Sequence, residues 1–178
     1  MNFKQFLQTD KLMNESYVAN TTDPVVVGYG TFDPCHIGYL CLVSELIRLG
    51  EQKEATPVLV ILEKDKDLLP TITSIISEHF PAIETLVEVD MASSILRLSQ
   101  TGRTPVAVVG ESYHTKQAGA YFKQLHNTEL YESYVSMDTF KQNTKRAILA
   151  NNFDLFRASI LDCSHAVALT LYEKLGGK

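Results

Sequence analysis

Apolar and polar positions divide this chain into two alternating kinds of segment. One kind is short and mostly apolar: Val25 to Gly30, Pro57 to Leu62 and Pro105 to Gly110 without interruption, and Ile83 to Val89 broken by Glu84, Thr85 and Glu88. These runs are rich in β-branched residues and bounded by Pro, Gly and charged residues, which predicts buried strands. The other kind repeats its apolar positions every three or four residues. Helices are predicted from the end of the first strand to about Leu49, over Thr71 to His79 and over Ala92 to Ser99. In the first of these, Leu40, Val43 and Ile47 make the expected apolar stripe, flanked by Leu42, Leu46 and Leu49, and Gly50 is the expected stop. Pro81 closes the second helix, and Thr101-Gly102 is a turn after the third. His114 and His126 fall on a further predicted helix. From about Asp138 onward the pattern is helical, ending in the four-residue steps Val167, Leu171 and Leu175. Uninterrupted apolar strands alternating with helices predict a parallel sheet covered on both faces. Residues 3 to 18 carry one more amphipathic pattern, with Phe3, Phe6, Leu7, Leu12 and Met13 apolar, and Asn20 to Pro24 reads as a linker. The expected organisation is an N-terminal helical extension over 1–22, an α/β domain over 23–155, and a C-terminal helix over 156–178 packed on that domain.

A chain of 178 residues is long enough for one domain with a real core. Its net charge of −5, with no basic run, argues against nonspecific nucleic-acid binding, which needs clustered Lys and Arg. No apolar run approaches the roughly 18–20 residues of a membrane span. Met1 to Asp10 is polar and lacks the apolar core of a secretory signal. Cys35, Cys41 and Cys163 are odd in number and scattered, which fits reduced thiols and a cytoplasmic location better than a disulfide framework. None stands at metal-ligand spacing to another Cys or His, so no protein metal site is expected. Cys35 neighbours His36, but adjacent side chains diverge. Asp162-Cys163-Ser164-His165 holds triad residue types, yet neighbours on a helix point in different directions.

The richest stretch is Gly30-Thr31-Phe32-Asp33-Pro34-Cys35-His36-Ile37-Gly38-Tyr39-Leu40, directly after Val25-Val26-Val27. A strand, a tight glycine turn and a helix start is the arrangement a phosphate site needs, because backbone N–H groups at a helix N-terminus point at the ligand; the competing reading is a plain strand-turn-helix connection. Gly30 permits a sharp exit from the strand and close approach of backbone to ligand. Asp33-Pro34 is a turn pair. His36 and Tyr39 are three apart and share a helix face. Other glycine motifs fit less well. Gly28-Tyr29-Gly30 opens like a dinucleotide fingerprint, but its third glycine falls on Asp33. No GxxxxGK[ST] loop is present.

The stretch resembles the GxFDPxHxGHL signature of the nucleotidylyltransferase superfamily, with one departure: the second histidine of HxGH is Tyr39. The resemblance implies an α/β, Rossmann-like doubly wound parallel sheet with a helical C-terminal segment. It also implies transfer of AMP or CMP from ATP or CTP to a small phosphorylated acceptor, with Mg²⁺ bridging the phosphates and pyrophosphate leaving. Under it, Gly30, Thr31, Phe32, Asp33, Gly38 and His36 cradle the triphosphate, and Tyr39 takes the place of the histidine most associated with the transition state. A neutral phenol supplies one hydrogen bond and no positive charge.

Three more strand ends extend the resemblance. Lys64 and Lys66, after the second strand, are candidates for the acceptor phosphate; the competing reading is a solvated charged loop. Gly110 and Glu111 look like the family's Gly-Ser/x-Asp turn near the base, though Ser112 stands where aspartate is commoner. The family's Ile-Ser-Ser/Thr-x-x-Arg element finds a similar run in Lys141 to Arg146, with Thr144 or Asn143 near the serine position and Arg146 matching the arginine, which implies Thr144 and Arg146 as triphosphate ligands, Arg146 offering a bidentate fork. Its alternative is a surface helix covered by Lys145 and Arg146. Met1 to Leu7 resembles the amphipathic leader of proteins packaged into tailed-phage heads, with the usual acidic cleavage residue absent at Thr9. Two functions follow. One is the family's transfer reaction, catalysed through His36, Tyr39 and Arg146. The other is an inactive form of the fold serving as a structural or assembly module, with homo-oligomer or virion partners and a virion location if phage-encoded.

Overall fold

The computed structural model describes residues 23–127 and 129–178; the amphipathic helix expected over residues 3–18 lies outside them. The chain is α/β, with a five-stranded, all-parallel sheet in the order β3-β2-β1-β4-β5. The strands are β1 (Asp23–Gly30), β2 (Thr56–Leu62), β3 (Glu84–Glu88), β4 (Arg103–Gly110) and β5 (Tyr131–Tyr134). The helices are α1 (Tyr39–Lys53), α2 (Leu69–His79), α3 (Met91–Gln100), α4 (Ser112–His126), α5 (Asp138–Leu149), α6 (Phe153–Ser159) and α7 (His165–Lys174). This is the doubly wound, Rossmann-like arrangement. The strand order reverses between β1 and β4, which pair directly, Val26 with Ala107 and Val27 with Val108.

Strand alternation sends successive side chains to opposite faces. Val26, Leu59, Ile61, Ala107 and Val109 join one core, which α1, α2, α5, α6 and α7 cover. Val25, Val27, Tyr29, Val58, Val60 and Val108 join the other, which α3 and α4 cover. With both faces buried, a continuous apolar strand is what the geometry requires. Ala168, Leu171 and Tyr172 of α7 belong to the same core as Val26, so the C-terminal helix packs on the α/β unit.

Three local expectations are corrected. The stripe on α1 is Tyr39, Leu42, Val43, Leu46 and Leu49. Leu40 and Ile47, expected at its centre, are 44% and 40% exposed. Tyr39 packs over the bare Cα of Gly30, and this brings the Tyr39 side of the helix onto the core. Gly50 does not stop α1. It lies inside the helix, and a Cβ there would meet the Ala55 carbonyl oxygen at 3.0 Å. The helix ends instead at Glu54, whose φ of 50° is left-handed. Finally, β5 has no apolar run to announce it. Its four residues, Tyr-Glu-Ser-Tyr, form an edge strand held by pairing with Ala107 to Gly110. The Ser133 hydroxyl also donates to Glu45 across 2.6 Å.

Candidate functional site

In an open α/β sheet, ligands bind at the carboxyl ends of the strands where the order reverses. Here that place is occupied by the loop from Thr31 to Gly38, which joins β1 to α1. The loop is stitched to the segment after α6. Ile37 N–H donates to the Ser159 carbonyl at 2.9 Å, and Leu161 N–H donates to the Cys35 carbonyl at 2.8 Å. Gly38 begins α1 with no side-chain cap.

The interior of this turn is filled by aromatic rings. Phe32 and Tyr39 stack at 3.9 Å between centroids, Tyr39 and His36 at 4.5 Å, and His36 and Phe140 of α5 at 6.5 Å. The planes of successive pairs lie within 17° of parallel. Both glycines exist for this stack. A Cβ on Gly30 would fall 2.7 Å from Tyr39 Cε1, and one on Gly38 would fall 2.7 Å from Phe140 Cδ2. Phe32 takes a left-handed φ of 54°, and its N–H donates to the Tyr39 hydroxyl at 2.9 Å. The backbone donor expected to meet a phosphate oxygen therefore meets the protein's own phenol.

The stack sets the protonation states. Tyr39 is 2% exposed. Burial pushes its phenol up to about 12, against the opposing hydrogen bonds of Thr31 and Phe32. His36 is fully buried, and neither ring nitrogen has a hydrogen-bond partner among the described residues. Burial lowers its pKa to about 4, with the positive charge of Lys141 acting in the same direction. At neutral pH both residues are uncharged.

Charged groups flank the stack. Lys64 lies 3.7 Å from Asp33, the motif's aspartate. Lys66 turns to Glu63 at 3.7 Å, and its side chain is 87% exposed. Lys141, in the first turn of α5, forms an ion pair with Glu111 at the end of β4. Gly110 serves packing: a Cβ there would meet Thr115 Oγ1 at 3.2 Å and the Tyr29 carbonyl at 3.3 Å.

Thr144 and Arg146 make no hydrogen bond to the motif loop among the described residues. Thr144 is fully buried inside the α5–α6 contact, its hydroxyl 2.9 Å from Ser159 Oγ and 3.1 Å from the Phe140 carbonyl. Arg146 lines a groove between α5 and α6 that Ile37 of the motif loop and Phe140 of the stack also line. Lys141, paired with Glu111, is a cation to which the sequence reading gave no role, and Lys64 stands beside Asp33. Val135-Ser136-Met137-Asp138-Thr139-Phe140-Lys141 runs in the order apolar, serine, then a cation five residues on, directly after β5. With β5 unrecognised, that order had no strand to anchor it.

Among the described residues, no group of three or more His, Cys, Asp or Glu side chains is placed to hold a metal ion. No described helix is long and apolar enough to cross a membrane. Compared with known proteins, the chain matches no family model and no curated protein.

Proposed function

We propose that this chain is a nucleotidyltransferase-like α/β module that does not catalyse transfer and serves as a binding or structural assembly module. The observation that carries the reading is the Tyr39 hydroxyl on the Phe32 N–H, inside a closed ring stack. Stabilising a transferring phosphoryl group requires donors and cations aimed at developing charge. Here the turn's donor is satisfied internally, His36 is neutral and buried, and Lys141 and Lys64 are matched by Glu111 and Asp33. If the chain is phage-encoded, virion assembly is the natural setting for such a module.

One observation favours the second reading, an enzyme transferring AMP or CMP to a small phosphorylated acceptor. His36 keeps two unpartnered ring nitrogens beside the start of α1, and a buried polar group without a partner is costly unless a ligand satisfies it. In that reading Tyr39 must leave the turn before a nucleoside triphosphate with its Mg²⁺ can enter.

Pyrophosphate release separates the two. It is measured with ATP and CTP against a panel of phosphorylated acceptors, on the wild type and on Tyr39→His. No release above background from either protein is expected for the module. Release by the wild type, or a gain on the order of 100-fold in Tyr39→His, the value of one transition-state donor, overturns it in favour of the enzyme.

A further inference from the structure

Arg146 has a site of its own. A cavity of about 420 Å³ lies between α5, α6 and the motif loop. Ile37, Phe140, Ala147, Leu155 and Ala158 supply its apolar walls. Leu155 is 57% exposed, so this apolar surface faces water. Few polar groups reach the cavity. The Ser159 hydroxyl is committed, donating to the Phe156 carbonyl at 2.8 Å and lying 2.9 Å from Thr144 Oγ1. Arg146 is exposed and, among the described residues, makes no side-chain hydrogen bond or ion pair. Asn143 stands one turn before it on the same helix.

The geometry points to a binding site for a linear alkyl carboxylate, its chain along the apolar wall and its head group on Arg146. Small-molecule sites are typically clefts of roughly 300–1,000 Å³, mostly apolar, with a few polar groups that fix orientation. This cavity has that character, and its single formal charge is a guanidinium. A guanidinium grips a carboxylate through two parallel N–H···O bonds. Charge complementarity therefore selects an anion, and the walls select an aliphatic chain, since each methylene removed from water adds to affinity. A short anion lacks the chain, and a neutral alcohol leaves the guanidinium unmatched. On α5, Arg146 lies five residues beyond Lys141, about 140° around the helix axis. Arg146 and Lys141 thus stand on different faces of one helix, while Phe140 both lines the cavity and stacks on His36.

The test uses the full chain and calorimetric titration with sodium octanoate, 1-octanol and sodium acetate. Octanoate is expected to bind saturably at one site, 1-octanol at least tenfold more weakly, and acetate not at all. Arg146→Gln should weaken octanoate by roughly 10- to 100-fold, the usual scale for a hydrogen bond to a charged group, and leave 1-octanol unchanged. Ala158→Phe, which fills the wall, should weaken both. No nucleotide is present in the titrations, so the result does not depend on whether the motif loop binds one. Absence of saturable octanoate binding, or equal affinity in Arg146→Gln, would overturn the assignment.

Discussion

Tyr39→Phe isolates the contact on which the functional reading rests. The substitution keeps the ring, so the stacks with Phe32 and His36 persist, and removes only the oxygen that accepts the Phe32 N–H at 2.9 Å. Phe32 is fully buried and the turn is filled by rings, leaving no room for water to take the oxygen's place. An unsatisfied buried donor costs about 1–3 kcal/mol, more than the 0.5–1.5 kcal/mol that an ordinary hydrogen bond contributes net. Tyr29→Phe is the internal control. Tyr29 is equally buried, but its hydroxyl meets Ser94 Oγ at 2.8 Å, and Ser94 in turn donates to the Met91 carbonyl at 2.7 Å. Removing the Tyr29 oxygen leaves no donor stranded, so its loss should stay near the lower figure. Urea denaturation of the three proteins gives the comparison. Tyr39→Phe should lose more stability than Tyr29→Phe, with a lower midpoint at unchanged slope. A Tyr39→Phe protein within about 0.5 kcal/mol of wild type, the scatter of neutral surface changes, would refute the idea that the phenol seals the turn.

Three further outcomes follow from the same geometry. Gly30→Ala places a methyl 2.7 Å from Tyr39 Cε1 and 2.9 Å from Phe32 Cε2, so thermal denaturation should show a loss of about 1–3 kcal/mol from overpacking, largely relieved when Tyr39→Leu is added. His36, with its pKa lowered to about 4 by burial, binds its proton in the unfolded chain near pH 6.5 but not in the fold. Its contribution to stability is therefore complete above about pH 6.5 and is lost as pH falls toward 4, by about 3 kcal/mol. His36→Leu should flatten that part of the stability-versus-pH curve, and an unchanged slope would contradict the burial argument. Cys41 is exposed, whereas Cys35 is 1% exposed and its thiol is pushed up by burial, with Asp33 adding to the effect. Maleimide labelling of the native protein at pH 7 should modify Cys41 first and Cys35 only on unfolding, as read by peptide mass.

The sequence alone determined whatever depends on local period and backbone. Val25-Val26-Val27 and Val58 to Ile61 are apolar without alternation because both faces of a parallel strand are covered, so the sheet and its class were legible. Gly30 and Gly38 marked the turn, since only a residue without Cβ fits there. Tertiary structure decided which groups meet. The face of α1 was set by Tyr39 seating on Gly30, a contact between positions nine apart that no helical period encodes. β5 is polar because it is a short edge strand, stabilised by β4 rather than by its own burial, and with it hidden the segment that follows it, up to Lys141, was left without a role. The sequence also presented Tyr39 as a histidine's substitute facing a ligand. Packing turned it inward, because a phenol can leave water with its ring stacked and its one oxygen paired to the Phe32 N–H, which a charged imidazole could not do at comparable cost.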